Sequence, residues 1–172
     1  MKFLSNLTCL TAIALIIYCS FNSPKTISQP LLSCDLKKDS VYDGDNLIVI
    51  CNGLESKIRF SCIDAPEIKQ PQGIASRDHL RSLLNQAGSR VRVRPVKIDR
   101  YGRTVAAIYT NNGLIQLQLV KAGWVWAYPK YKSDCAEWEA IALGEQEAQR
   151  TRRGIWAGHP IPPWEWRAIN RR

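Results

Sequence analysis

The sequence is poor in histidine and has no pair of cysteines separated by two residues. Its 172 residues contain only two histidines, His79 and His159, and none of the six cysteines forms a C-x-x-C motif. Structural zinc sites are built from closely spaced cysteines and histidines. The sequence therefore argues against a zinc-binding module.

Acidic residues are scarce relative to basic ones. The chain has 15 Asp and Glu against 24 Lys and Arg, which gives a formal net charge of +9. A small protein with this excess attracts polyanions. Nucleic acid and anionic membrane surfaces are the two leading partners, although solubility alone would explain the charge about as well.

Long apolar runs are also missing. The longest, from Leu7 to Phe21, is shorter than the roughly 20 residues that a transmembrane helix needs. With Lys2 before it, the run is typical of a secretory signal peptide. No clean A-x-A cleavage motif is present, so an uncleaved anchor is the alternative. We predict a signal or anchor over residues 1–20, and a secreted, periplasmic or cell-envelope location.

The rest of the chain shows no internal repeat and divides into three regions. Residues 21–33 form a polar lead-in, residues 34–156 carry the periodic segments, and residues 157–172 are rich in proline and tryptophan. We expect the last region to lie as an extended strap across the domain, because its proline content disfavours a helix.

The periodic segments predict an α+β fold. Turn signals at Asp43-Gly44 and Asn52-Gly53 divide three strands of a meander. A helix from Ile74 to Gln86 follows, then two strands, a short helix, and a last helix that begins at an Asp134 N-cap. Five short strands with a helix after the third indicate a five-stranded OB-type β-barrel with about three helices.

Four cysteines follow the apolar run, and an even number in an exported protein favours two disulfides. Cys34 should begin the first strand and Cys51 should end the second, so their antiparallel pairing brings these two residues together. The same assignment pairs Cys62 with Cys135. Four free thiols are the alternative.

Two carboxylates and two arginines surround the predicted strand ends. Asp45 and Asp64 flank neighbouring strands, Glu67 follows three residues after Asp64, and Arg59 and Arg103 come from different strands. Each alone is more simply a turn former or a surface charge. Together they supply oxygen ligands for a hard cation, a carboxylate for an attacking water, and forked donors for phosphoryl oxygens. The combination favours metal-assisted phosphodiester hydrolysis.

At these positions the sequence resembles the staphylococcal nuclease (thermonuclease) family. The matching segments are Tyr42-Asp43-Gly44-Asp45, Ile58-Arg59-Phe60, Ile63-Asp64-Ala65-Pro66-Glu67, Asp99-Arg100-Tyr101-Gly102-Arg103 and Gly154-Ile155-Trp156. The resemblance extends over roughly residues 36–156. It implies an enzyme that cuts DNA, RNA or both, uses Ca²⁺ as its cofactor, and leaves 3′-phosphates.

The resemblance also implies a role for each matching residue. Asp45 and Asp64 would bind Ca²⁺ through their side chains and Ala65 through its backbone carbonyl. Glu67 would act as the general base or position the attacking water. Arg59 and Arg103 would bind the scissile phosphate. Tyr101 and Tyr128 are predicted to contact substrate, and Trp126 and Tyr131 compete with Tyr128 for its role.

Two other functions remain open from the sequence. One is a non-catalytic OB-type module that binds nucleic acid, and the other is an envelope-anchored domain whose basic face binds anionic polymers. The sequence implies no stable protein partner, and we expect a monomer.

Overall fold

The computed structural model describes residues 30–171. The predicted signal or anchor over residues 1–20 therefore lies outside the described residues. Within them, no helix is long and apolar enough to cross a membrane. The eight strands are β1 Leu32–Leu36, β2 Asn46–Cys51, β3 Leu54–Phe60, β4 Ile63–Asp64, β5 Arg90–Ile98, β6 Thr104–Thr110, β7 Gly113–Leu114 and β8 Trp126–Ala127. The four α-helices are α1 Gly73–Ala87, α2 Ile115–Lys121, α3 Trp138–Arg150 and α4 Pro163–Ile169.

Five of the strands close into a barrel. The sheet order is β3-β2-β1-β5-β6-β7, and a parallel pairing of β3 with β6 joins its ends. In that pairing Ile58 lies opposite Thr104, and Arg59 lies opposite Val105. The predicted five-stranded α+β barrel is confirmed, with the two-residue β7 added beside β6 and a separate β4–β8 pair.

Period-two alternation fills the barrel. Along β5, Val91 and Val93 are buried whereas Arg90 and Arg92 are exposed, as expected for a strand with one apolar face. Leu80 and Leu84 of α1 and Leu119 of α2 pack against the apolar barrel residues in one core. The barrel is thus a filled scaffold, and its surface is free to carry a site.

Two details of the predicted turns and helices were wrong: the form of the Asp43-Gly44 turn and the start of the last predicted helix. Asn52-Gly53 is a two-residue turn with φ of 51° and 80°, as a type I′ hairpin requires. Asp43-Gly44, however, lies within the longer connection from Leu36 to Asn46. Helix α3 begins at Trp138, because the segment Pro129–Asp134 forms a separate 3₁₀ helix and Asp134 pairs with Lys97 instead of capping α3.

The C-terminal region is not the extended strap that its composition suggested. Residues Pro163–Ile169 form α4, with a proline at the start. Proline is well tolerated in the first turn, where its missing N–H would have had no partner. The proline-rich run therefore leads into a helix, and that helix lies against the domain through Arg167.

The described part of the chain contains two disulfides. The sulfur atoms of Cys34 and Cys51 lie 2.01 Å apart, and those of Cys62 and Cys135 lie 2.03 Å apart. These are the pairings that the strand assignment predicts. The first joins β1 to the end of β2, and the second joins the residue before β4 to the segment before α3.

Candidate active site

The acidic turn before β2 is fixed by close packing. A Cβ atom on Gly44 would lie 2.1 Å from Ser76 Oγ and 2.8 Å from Ala65 Cβ, so only glycine fits there. Helix α1 and the loop after β4 consequently close directly over the turn. Asp45, next to Gly44, is buried with 4% of its surface exposed, and its Oδ2 accepts a 2.6 Å hydrogen bond from the Ala65 N–H.

Arg59 on β3 lies between the two predicted metal-binding carboxylates. Residues Asn46 and Arg59 are direct partners in the β2–β3 register, which brings Asp45 beside the arginine. Arg59 Nη1 lies 2.9 Å from Asp45 Oδ2, and Nη2 lies 2.7 Å from Asp64 Oδ1. Nη1 also donates to the carbonyl oxygens of Phe60 and Ile63. The guanidinium is therefore held in one orientation by three hydrogen bonds and by its ion pair with Asp45.

A sharp bend between β3 and β4 positions Asp64. Cys62 has a φ of 70°, a left-handed conformation that is uncommon for residues other than glycine. After the bend, β4 pairs with β8, with Asp64 opposite Trp126. Asp64 is 1% exposed, so a carboxylate is placed almost completely out of solvent.

The negative charge of Asp45 is only partly compensated by its neighbours. Burial raises the pKa of Asp45 well above its ordinary value; Arg59 partly offsets this effect, and the neighbouring Asp43 and Asp64 raise the pKa further. Carboxylate oxygens are the ligand type that hard cations such as Ca²⁺ prefer. Asp45 and Asp64, two buried carboxylates on the same arginine, therefore fit a divalent cation by the chemistry of their oxygens.

A second group of metal-binding residue types has a different explanation. Among residues 30–171, the one set of three Cys, His, Asp or Glu side chains whose ligand atoms lie within 4.8 Å is Cys62, Cys135 and Glu137. Two of its members form a disulfide, which leaves no thiolate to bind a metal.

Arg103 is held by the turn between β5 and β6. Its backbone N–H donates to Asp99 Oδ1, and its Nε donates to Asp99 Oδ2 at 2.8 Å. Burial raises the pKa of Asp99, but hydrogen bonds from Arg103 and Tyr101 outweigh burial and keep this pKa below its ordinary value. Asp99 therefore remains ionised and fixes Arg103, while Tyr101 is 67% exposed beside it.

Asn46 connects the two arginine sites, and the sequence had not singled it out. Its Nδ2 donates to Asp45 Oδ1 at 2.8 Å, and its Oδ1 accepts from Arg103 Nη1 at 3.1 Å. Its position directly after the acidic turn was the available signal. The Asn46 amide therefore links the Asp45 carboxylate to the Arg103 guanidinium, although these two residues come from different segments of the chain.

Glu67 contacts a residue from the far end of the chain. Arg167 of α4 places Nη1 2.8 Å from Glu67 Oε1 and Nη2 2.7 Å from Asp64 Oδ2. Burial lowers the pKa of Arg167, but its bonds to Asp64 and Glu67 outweigh burial and raise this pKa above its ordinary value. The sequence had not singled out Arg167, since nothing near it in the chain indicates a partner 100 residues away.

The two tyrosines predicted to contact substrate differ in their surroundings. Tyr101 is open to solvent, with the guanidinium of Arg100 4.8 Å from its ring centre. Tyr128 is half-buried, stacked on Trp164 at 5.2 Å and edge-on to Tyr131 at 5.3 Å. Of the two competing candidates, Trp126 is 5% exposed and packs on Trp156, so it has no face available for a nucleotide, whereas Tyr131 is 41% exposed and lines the same cavity as Tyr128.

One cavity of about 620 Å³ brings these residues together. Its walls include every residue for which a catalytic, metal-binding or substrate-binding role was predicted: Asp45, Arg59, Asp64, Ala65, Glu67, Tyr101, Arg103 and Tyr128. Arg167 lies in the same wall, and exposed Arg100 and Lys130 add positive charge. The cavity thus has buried carboxylates together with basic and aromatic side chains, a combination suited to a phosphate-containing polymer.

The sequence matches the family model described as staphylococcal nuclease homologue over residues 57–158. The chain belongs to the staphylococcal nuclease family. It is 36% identical over 144 residues to an uncharacterized endonuclease of Escherichia coli, covering 81% of this chain and 90% of that protein. It is 38% identical over 145 residues to an uncharacterized endonuclease of Haemophilus influenzae, covering 80% and 78% of the two chains.

A plant relative is longer. Staphylococcal-like nuclease CAN1 of Arabidopsis thaliana is 38% identical over 118 residues, which are 67% of this chain and 34% of that protein. The family membership predicted from the motifs is therefore confirmed, and the chain is a phosphodiester hydrolase.

Proposed function

We propose that this hydrolase is a calcium-dependent nuclease that cleaves DNA, RNA or both and leaves 3′-phosphates. The observation that carries the proposal is the placement of Arg59 between two buried carboxylates, Asp45 and Asp64, in the wall of a cavity that also contains Glu67 and Arg103. This is the residue set that phosphodiester hydrolysis needs, gathered in one place.

The side chains divide the work of the reaction. Asp45, Asp64 and the Ala65 carbonyl hold the cation, which when bound supplies Lewis-acid polarisation of a phosphate oxygen and of water. Glu67 accepts a proton from the attacking water or holds that water in line. The water oxygen bonds to phosphorus, the bond from phosphorus to the 5′ oxygen breaks, and that oxygen takes up a proton from solvent. The products are a 3′-phosphate and a 5′-hydroxyl.

Arg59 and Arg103 act on the charge that develops on the phosphoryl oxygens. Each guanidinium is already oriented by hydrogen bonds, Arg59 by two backbone carbonyls and Arg103 by Asp99 and Asn46. Donors fixed before the reaction stabilise a transition state without the cost of reorganisation. A planar fork also matches two phosphoryl oxygens, which a lysine does not.

The test uses purified protein with labelled single- and double-stranded DNA and RNA. We expect cleavage with Ca²⁺, none with excess EGTA, and fragments that need phosphatase treatment before their 3′ ends can be extended. Glu67→Gln should remove turnover, whereas Glu147→Gln on α3, a half-buried carboxylate outside the cavity lining, should not. Binding without cleavage under every condition would instead support a non-catalytic OB-type module.

We also propose that the enzyme works outside the reducing interior of the cell, as a monomer that is secreted or held in the periplasm or envelope. The two disulfides support this proposal, because such bonds persist in oxidising compartments. Peptide mapping of exported protein under non-reducing conditions should recover Cys34–Cys51 and Cys62–Cys135. Free thiols in exported protein would contradict the proposal. Light scattering during gel filtration measures the oligomeric state.

A further inference from the structure

Helix α4 lies beyond residues 57–158, the part of the chain that the family model matches. Its Arg167 nevertheless extends into the same cavity as Arg59 and Arg103. We propose that Arg167 is a third substrate-binding arginine of this enzyme, and that it contacts a phosphate group of the bound nucleic acid. The inference rests on the proposed nuclease function and adds a residue to its active site.

The first argument is distance. Arg59 and Arg167 both contact Asp64 Oδ1, Arg59 through Nη2 at 2.7 Å and Arg167 through Nη1 at 3.3 Å. Two guanidinium groups on one carboxylate oxygen are close enough for a single phosphate group to reach both. A phosphate held by Arg59 and attacked by water at Glu67 must therefore lie next to Arg167, which is 2.8 Å from Glu67.

The second argument is the number of donors. A guanidinium has five N–H groups and no acceptor. Arg167 uses Nη1 and Nη2 for Asp64 and Glu67, so it keeps further donors. When a divalent cation takes over the charge of Asp64, the arginines paired with that carboxylate become available to an anion. A phosphate is the anion that the enzyme brings to this position.

The third argument is that α4 is fixed to the cavity at two other points. The buried side chain of Gln70 accepts from the Glu67 N–H at 3.2 Å and donates to the Ile161 carbonyl at 2.5 Å. Trp164 stacks on Tyr128 with an angle of 15° between the rings. These contacts hold the segment before and within α4 against two walls of the cavity, so Arg167 is positioned before substrate arrives.

The test separates the contribution of the phosphate from that of the nucleoside. Thymidine and thymidine 3′-phosphate are titrated into Ca²⁺-saturated protein and followed by NMR, for the wild type, Arg167→Gln, Arg167→Lys and Arg150→Gln. Arg150 is an exposed arginine of α3 paired with Glu147, so its variant controls for the loss of one positive charge.

We expect the wild type to bind the phosphorylated compound more tightly, and Arg167→Gln to reduce that preference by about tenfold or more, as the loss of a charge-assisted hydrogen bond requires. Arg167→Lys should fall between the two, because it keeps the charge and loses the fork. Arg150→Gln should keep the wild-type preference. An unchanged preference in Arg167→Gln would overturn the proposal, and so would faster cleavage by this variant, since α4 would then be an inhibitory cap.

Near-ultraviolet circular dichroism reports whether α4 remains in place, through the stacked Tyr128 and Trp164. If Arg167→Gln displaces the helix, Arg167→Lys decides: a reduced preference with the helix in place supports the contact, and a wild-type preference refutes it. A wild type that prefers the phosphorylated compound but cleaves nothing would refute the nuclease proposal and leave the contact supported. A wild type without any preference would overturn the contact, whereas the nuclease proposal is decided by cleavage of DNA and RNA.

Discussion

Two arginine–carboxylate clusters whose arginines are buried to a similar degree occupy different parts of the molecule. Arg59 pairs with Asp45 and Asp64, and its side chain is 14% exposed. Arg94 on β5 pairs with Glu137, and its side chain is 20% exposed. The exposure of the arginine therefore does not distinguish the two clusters, although Glu137 is 20% exposed against 6% for Asp45 and 2% for Asp64. In the described part of the chain, the first cluster lines the 620 Å³ cavity and the second does not.

The balance of charge is the other difference. The first cluster has four carboxylates, those of Asp43, Asp45, Asp64 and Glu67, against the two arginines Arg59 and Arg167. In the second, Glu137 is shared between Arg94 and the Tyr109 hydroxyl, which donates to it at 2.5 Å. The first cluster therefore has excess negative charge and lines the cavity, whereas the second is balanced and does not line it, and we call the second the closed cluster. Excess charge facing a cavity, rather than an ion pair as such, thus marks the candidate active site.

The largest effect is expected from neutralising the shared carboxylate of the first cluster. Asp64→Asn removes a proposed cation ligand, and should weaken Ca²⁺ binding and turnover by more than the about 10- to 100-fold that loss of an outer supporting group costs. Calorimetry and cleavage rates measure the two effects. Asp78→Asn, an exposed carboxylate on α1, is the control. An unaltered calcium dependence in Asp64→Asn would remove this residue from the metal site.

The next largest effect is expected at the arginines of the cavity. Arg59→Lys and Arg103→Lys keep the charge but lose the fork, so each should reduce turnover on the order of a hundredfold, or about 2.7–4 kcal/mol in barrier height. Single-turnover kinetics measure this loss, and Arg92→Lys on the outer face of β5 serves as the comparison. Near-wild-type rates in both variants would contradict the proposed roles.

In the closed cluster, the same kind of change should reduce stability and leave turnover intact. Glu137→Gln removes the charge that Arg94 and Tyr109 share, and should lower the free energy of unfolding by about 1–3 kcal/mol. Denaturant titration measures the loss, and cleavage by the folded variant should match the wild type. A folded Glu137→Gln protein without activity would mean that the two clusters are coupled.

The closed cluster should also respond to alkaline pH. Burial, the hydrogen bond to Glu137 and the charge of Glu137 raise the pKa of Tyr109 to about 12. The unfolded chain releases this proton near pH 10, so the stabilisation is complete below pH 10 and is lost as pH rises towards 12. Ultraviolet difference spectra should show one tyrosine that ionises late in the wild type and earlier in Glu137→Gln. Without such a late tyrosine, the hydrogen bond is absent in solution.

The smallest effect is expected on the outer face of β5. Arg90 contacts Asp35, and Arg92 donates to the Thr110 carbonyl, so both already have partners away from the cavity. Replacing both with glutamine should leave the salt dependence of nucleic-acid binding unchanged. A slope lower by about one for each arginine would show that this face contacts phosphates as well.

The sequence was sufficient to predict the barrel and those cavity residues that belong to the family motifs. Asp45, Arg59, Asp64 and Arg103 lie at strand ends, where local pattern and motif spacing agree. Arg167 could not be found in this way, because its partners Asp64 and Glu67 are about 100 residues distant and come close only after folding. The periodicity of a short segment carries no information about a contact between residues so far apart in the sequence.

Two predictions were wrong because one local feature of the sequence was considered without the competing effect. Asp134 resembles a helix N-cap, but its carboxylate pairs with Lys97 of β5 instead. The prolines near the C-terminus suggested an extended chain, although proline at the first position of α4 favours the helix. In each case a tertiary contact or a positional rule outweighed composition.

The parallel pairing of β3 with β6 has a consequence for how activity is acquired. Arg59 meets Val105 only when segments 46 residues apart in sequence come together, and such distant contacts form slowly because loop closure precedes any gain from pairing. The cavity walls that carry Arg59 and Arg103 are joined by that step. A refolding chain should thus acquire the circular dichroism signal of its helices before it acquires catalytic activity. The rate at which cleavage recovers would then measure the rate at which the barrel closes.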